Sequence, residues 1–323
     1  GGTPKEMSTK QYIKYENSGY SLNFDGSQRI ETPWTYLESD NYSHLSSDQA
    51  PDVVEVRFNT SKPQNSILVH KRNRMGIEIE AHPSASNTSS VYHNYGRLWM
   101  GLYDFSGSAV AMRSTASAYH PLFDNDWWNI QFGVDSAHTF NLHLKKSADH
   151  SNGRITHAEK IAWDLSSNAL APAASWGHIA VQPFSWGGHD SAGGWTMASG
   201  STVSAATLPG YTGSMQEIRY WAFPTVNTIL SDAAFDNHVL SPLSIEGNTY
   251  TSSYTDLVAR WPLGSTGATA SLNSTTLASK HPNQNISTTP FVSAANATMS
   301  LSGSGYTGTS ADWQYEEETF YTV

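Results

Sequence analysis

Cysteine is absent from the 323 residues. Disulfides, thiolate metal sites and cysteine nucleophiles are therefore excluded, and core burial must hold the fold. Charge is scarce as well, with Asp, Glu, Lys and Arg together making up 14% of the chain. Ser, Thr, Asn and Gly fill the spaces between short apolar segments, a balance that favours turns and polar β faces over charged helices. No apolar run approaches the ~20 residues of a membrane-crossing helix, and no basic stretch followed by an apolar core opens the chain. Basic residues are the minority, 18 against 28 acidic, for a net charge of −10. Such a field repels nucleic acid and anionic membrane, so neither is expected as a partner.

What the chain does have is period-2 alternation. In residues 52–58, Val54, Val56 and Phe58 fall on one face and Val53, Glu55 and Arg57 on the other, the pattern of a half-buried strand. Residues 66–70, 76–80, 97–103, 127–133 and 140–145 read the same way, each bounded by Gly, Asp, Asn or Ser. Regularly spaced strands with almost no helix predict an all-β, two-sheet antiparallel β-sandwich. One short helix is expected near 229–238, with Ser231 as its N-cap and Ala234, Phe235 and Val239 at helical spacing.

Four features, in order, resemble the laminin-G-like (concanavalin A-like lectin) family. Tyr20 to Ser27 matches an opening strand that ends in an apolar-Asp-Gly turn, and the Trp127-Trp128 strand matches the middle of the pattern. Gly213 to Trp221, with Glu217 and Arg219 between apolar residues, matches the closing strand, and the 229–238 helix follows it. The resemblance implies a jelly roll over 20–242, preceded by an N-terminal arm at 1–19. Residues 243–323 form a Ser/Thr-rich extension expected to pack as extended strands on the sandwich or on a neighbouring subunit. The helix ending at Pro242, the step at 244–247 and the segment from Leu257 to Gly264 are similar to lectin-like modules embedded in structural proteins of tailed bacteriophages. That resemblance implies a virion or extracellular location, other virion subunits as partners, homo-oligomers, and contact with host-surface glycans. A chain without an initiator Met that stops at Val323 is expected to be a fragment or processed product.

Candidate chemistry is sparse. Glu78 and Glu80 are two apart on one strand, roughly 6.6 Å along the backbone, within reach of a retaining glycosidase pair. Alternation itself places Ile77 and Ile79 in the core and both Glu residues in water, the better reading. The Glu-x-Asp-x-x-Glu string of hydrolases on this architecture is missing, as are a Gly-x-Ser-x-Gly elbow and a phosphate loop, so no catalytic residue is assigned. Many members of the resembled family hold calcium at the sandwich rim, and Asp124, Asn125 and Asp126 offer three oxygen donors before a strand. A hard cation needs six to eight, and such a cluster also serves as a turn. None of the 13 His residues makes an i, i+4 helical zinc pair.

Sugar recognition needs aromatic faces beside polar groups. Trp176, Trp186, His189, Asp190 and Trp195 provide them within twenty Gly-rich residues and are the ligand candidates, although packing or a subunit contact suits any one of these Trp residues. Six Asn-x-Ser/Thr sequons occur, close to what the Asn, Ser and Thr content gives by chance. The expected function is a non-catalytic virion surface or structural module with rim-loop glycan recognition. The alternatives are a carbohydrate-binding module of a secreted bacterial adhesin and a glycoside hydrolase.

Overall fold

A computed structural model describes residues 16–26, 28–32, 51–71, 75–102, 113–135, 139–147, 154–164, 184–188, 194–196, 202–204, 210–221, 223, 230–242, 244, 246–247, 256–261, 263, 276–278, 298–303 and 314–321. In chain order the strands are β1 (Glu16–Asp25), β2 (Gln28–Thr32), β3 (Val53–Asn59), β4 (Ser66–Lys71), β5 (Met75–Ala81), β6 (Gly96–Leu102), β7 (Arg113–Ala116), β8 (Trp128–Val134) and β9 (Thr139–Ser147). They continue with β10 (Ile155–Asp164), β11 (Phe184–Trp186), β12 (Gly194–Thr196), β13 (Thr202–Ser204), β14 (Thr212–Trp221), β15 (Leu257–Trp261), β16 (Thr276–Ala278), β17 (Thr298–Gly303) and β18 (Gln314–Tyr321). Among the described residues there is one helix, α1 (Asp232–Leu240), between β14 and β15.

All of these strands except β12 and β13, which pair with each other in a separate two-stranded sheet, form a two-sheet antiparallel sandwich. Sheet A runs β10-β9-β8-β3-β14-β1-β18, with β15 also on β14, and sheet B runs β16-β17-β2-β11-β4-β5-β6-β7. The turn expected at Asp25-Gly26 carries the chain from β1 in one sheet to β2 in the other, with Gly26 at φ +96, a region only glycine occupies freely. Between the sheets lie Val54, Val56, Phe58, Ile130, Phe132, Leu142 and Leu144 from sheet A and Ile30, Val69, Ile77, Ile79, Leu98, Met100 and Phe184 from sheet B. Each such side chain contributes roughly 1.5–3 kcal/mol on burial, and together they do the work that disulfides do in smaller folds.

β14 is the hinge of the topology. One edge pairs with β3; the other is shared, with Leu22 of β1 opposite Met215 and Trp261 of β15 opposite Ile218. Gly213 enters this strand at φ +146, and a Cβ there would sit 2.2 Å from the Asn59 carbonyl oxygen. Tyr211, just before it, is fully buried; its hydroxyl lies 2.5 Å from Asn59 O and accepts the Asn59 N–H at 3.1 Å. Burial pushes that phenol well above its ordinary range.

Two expectations for strand faces are corrected. β3 is buried on both faces rather than half-buried. Val54, Val56 and Phe58 enter the main core, while Val53 joins Trp221, Leu230, Ala234, Phe235, Val239 and Leu257 in a second cluster under α1. Glu78, expected in water, is 2% exposed. The helix falls where expected: Ser231 Oγ accepts the Ala234 N–H at 3.2 Å. Among the described residues no helix is long and apolar enough to cross a membrane.

A buried ionic cluster joins α1 and β15 to the outer face of sheet A. The register of β14 against β3 slips between Gln216 and Arg219, and Glu217 takes φ +54. This bulge keeps Met215 and Ile218 in the core while Gln216 and Glu217, consecutive in sequence, leave alternation. Glu217 accepts from Arg260 Nε at 2.8 Å and Nη2 at 2.6 Å, and from Arg219 Nε at 2.8 Å. Arg219 also donates to the Pro242 carbonyl and lies 3.5 Å from Glu55. His238 of α1 places Nδ1 3.0 Å from Glu55 Oε1 and Nε2 2.8 Å from the Glu246 carbonyl, with its ring stacked on Trp221. Burial alone would raise the Glu55 carboxyl; His238 and Arg219 outweigh it and hold it below the usual range.

Candidate functional site

The candidates read from sequence part company here. Trp176, His189 and Asp190 lie outside the described residues. Trp195 is on β12, paired with Val203 of β13. Trp186 is in β11, hydrogen-bonded between β2 and β4 at the middle of sheet B, and is 0% exposed. Its indole N–H donates to Thr32 Oγ1 at 2.8 Å, and its ring packs near Phe132 and Phe184. With no face open, it is a core residue and offers a sugar no platform.

Asp124, Asn125 and Asp126 form a turn. Asn125 takes φ 61, Asp124 Oδ1 accepts the Asp126 N–H at 3.2 Å, and Asp126 Oδ1 accepts the Trp127 N–H at 2.8 Å. Lys146 donates to Asp124 Oδ2 and lies 3.0 Å from Asp126 Oδ2, so its ammonium already supplies the cation these carboxylates face. Among the described residues no group of three or more His, Asp or Glu is arranged to hold a metal.

The ionic cluster on sheet A lines a cavity of about 10 Å³, room for one water and none for a substrate. Nearby, His143 of β9 lies under Phe235, with Nδ1 3.1 Å from Asp232 Oδ1. Burial first, then the Lys160 and Lys145 charges, pull its pKa from 6.5 down to about 4 against the opposing pull of Asp232. Between those values the unfolded chain takes the proton and the folded one does not. Stability is therefore full above pH 6.5 and falls by about 3 kcal/mol as pH drops to 4. His143→Leu should remove that component: urea unfolding at several pH values should show the gap between wild type and variant shifting in the variant's favour as pH falls. A gap constant with pH would mean that the folded ring is not held neutral.

A different surface gathers aromatic and polar groups. Opposite residues on β5 and β6 are Glu80 with Arg97 and Glu78 with Trp99. With Ile77, Ile79, Leu98 and Met100 in the core, alternation turns Glu80, Arg97 and Trp99 to the outer face of sheet B. Arg97 Nε donates to Glu80 Oε2 at 2.5 Å and Trp99 Nε1 to the same oxygen at 2.8 Å. The Arg97 guanidinium lies over Trp99 at 4.8 Å and over Tyr119 at 4.7 Å.

The connection between β5 and β6 extends this surface. It is a chain of turns closed by His82 N–H to Tyr95 O at 2.9 Å and Asn94 N–H to Ala85 O at 2.9 Å, with Ala85 buried as its anchor and Asn94 at φ 64. His82 stacks on Tyr92 with centroids 4.0 Å apart and meets the edge of Tyr119 at 4.7 Å. Tyr92 remains 43% exposed and Val91 84%. The segment joining β7 to β8 supplies Tyr119, fixed by the Gly96–His120 bridge. The next residue turns the other way: His120 Nε2 lies 2.6 Å from Glu159 on β10. Sequence reasoning missed this surface, because Tyr92 and Tyr119 lie in turn-rich connections without strand or helix period.

No protein-family profile matches the chain, and no curated protein matches it. Among solved structures it is similar to a protein of Bacteroides ovatus assigned to carbohydrate binding, at 10% identity and TM-score 0.44 over 95% of this chain and 62% of that one. It is also similar to the heptameric SAP-like pentraxin of Limulus polyphemus, at 9% identity and TM-score 0.35 over 71% of this chain and 84% of that one.

Proposed function

We propose that the chain is a non-catalytic glycan-recognition module carried by a virion structural protein. The observation that carries the glycan part is the outer surface of sheet B, where Tyr92, His82, Tyr119 and Trp99 alternate with Arg97 and Glu80. Rings offer faces to the C–H side of a pyranose, and polar groups fixed between them take its hydroxyls. The hydrolase alternative loses its pair: a glycosidase needs two carboxylates flanking one open site, whereas Glu78 is buried and Glu80 is bonded by Arg97 and Trp99. The virion part rests on the resemblance of the Pro242 and Leu257–Gly264 segments to phage structural chains, with other subunits or further copies of this chain as assembly partners.

The test begins with a panel of immobilised glycans, followed by calorimetric titration of any that bind. Tyr92→Ala should weaken binding about 3- to 10-fold, the worth of one ring contact, without a fall in thermal stability. A chain that binds no glycan, or a Tyr92→Ala variant that binds as well as wild type, would overturn the reading. Electron microscopy of the native source tests the second part separately. Symmetric copies are expected; a free monomer would remove the virion and leave the glycan module.

A further inference from the structure

The Glu80–Arg97 pair has unspent bonding capacity of a definite kind. Glu80 Oε2 takes two donors, Arg97 Nε and Trp99 Nε1. Among the described residues, Glu80 Oε1 and the two terminal nitrogens of Arg97 have no hydrogen-bond partner, although both side chains reach solvent at 18% and 27% exposure. The rings of Trp99 and Tyr119 set the plane of the guanidinium, and an arginine so held loses little freedom when it binds. An acceptor oxygen and a planar donor fork therefore stand side by side, already oriented.

We propose that this pair is a charge-neutral fork for two adjacent hydroxyls of a neutral sugar, and that it discriminates against acidic sugars. The inference rests on the glycan-binding reading. In the complex, Arg97 donates to one hydroxyl oxygen while Glu80 Oε1 accepts the proton of its neighbour; each charged group makes a stronger hydrogen bond than a neutral one would. An acidic sugar brings a carboxylate against Glu80. The arginine charge that would welcome it is already matched, and the chain's net charge of −10 adds repulsion at longer range. On the neighbouring ring, His82 Nδ1 accepts the Ser84 N–H at 3.1 Å. The stacked Tyr92 and His82 rings then extend the site for a second sugar unit.

Affinity electrophoresis supplies the test, with native gels cast with a neutral polysaccharide (galactan, mannan or dextran) or with polygalacturonate. Wild type should be retarded by at least one neutral polymer and not by polygalacturonate. Arg97→Lys keeps the charge and stem but loses the fork, and should weaken neutral binding about tenfold; Arg97→Leu should weaken it at least as much. Glu80→Gln leaves the site positive and should shift the neutral-to-acidic preference about tenfold toward polygalacturonate. Circular dichroism melts identify variants that fail to fold, and Arg97→Lys decides the case if the Leu variant is among them. Equal or tighter retardation of wild type by polygalacturonate would overturn the neutral fork. So would unchanged binding by both Arg97 variants, and if Tyr92→Ala still weakened binding, the module would stay glycan-binding with its site off the fork. No retardation by any polymer, with no glycan bound on the panel, would sink the functional reading and this inference with it.

Discussion

Replacing Glu217 by Ala is expected to destabilise the protein by about 3–5 kcal/mol, the cost of removing one partner from a buried ionic group. Arg219 and Arg260 face each other across β14 and β15 and both bind this carboxylate. Without it, two buried guanidinium groups lie side by side and repel. For a domain of this size the melting temperature should fall by on the order of 10 °C, and urea unfolding gives the free energy. The double variant Glu217→Leu with Arg260→Met should recover much of the loss, since a matched apolar pair avoids the desolvation penalty. A loss below about 1 kcal/mol for Glu217→Ala would mean that water reaches the two arginines.

Trp186→Ala should cost a similar amount for another reason. The ring is fully buried against Phe132 and Phe184, so truncation leaves a cavity between the sheets and takes from the Thr32 hydroxyl one of its two partners, the other being the Tyr220 hydroxyl. About 3–5 kcal/mol is the usual range for such a change. Glycan binding per folded molecule should stay unchanged. Loss of binding with intact stability would instead make Trp186 a ligand contact, contrary to its place in the core.

These two residues show where the sequence was legible. β3, β5, β8 and β9 were visible because Val54-Val56-Phe58 and its counterparts alternate cleanly, and α1 because Ser231 caps an apolar helical spacing. The opposite face of β3 was misjudged since Val53, Glu55 and Arg57 look like a solvent face; α1, nearly two hundred residues on, covers Val53 and Glu55, Arg57 lies over Trp127, and no local pattern announces either contact. Trp186 sits beside glycines that read as a loop, yet three residues suffice for a strand when β2 and β4 both pair with it. The surface around Tyr92 was hidden for a related reason. His82, Tyr92, Arg97 and Tyr119 meet only after the β5–β6 connection folds back on itself, and single aromatics in turns carry no period.

The shared edge of β14 also sets a timetable for synthesis. Leu22 pairs with Met215 and Ile218 with Trp261, so the second strand of that first pair emerges about 190 residues after its partner, roughly 10–40 s later at ordinary translation rates. The β8–β9 and β5–β6 hairpins can close early, whereas β1 and the open edge of β3 must wait unpaired on the ribosome. Sheet A therefore closes late and by long-range pairing, the slow regime of folding, and β1 keeps an open edge until β18, which ends at Tyr321, is made.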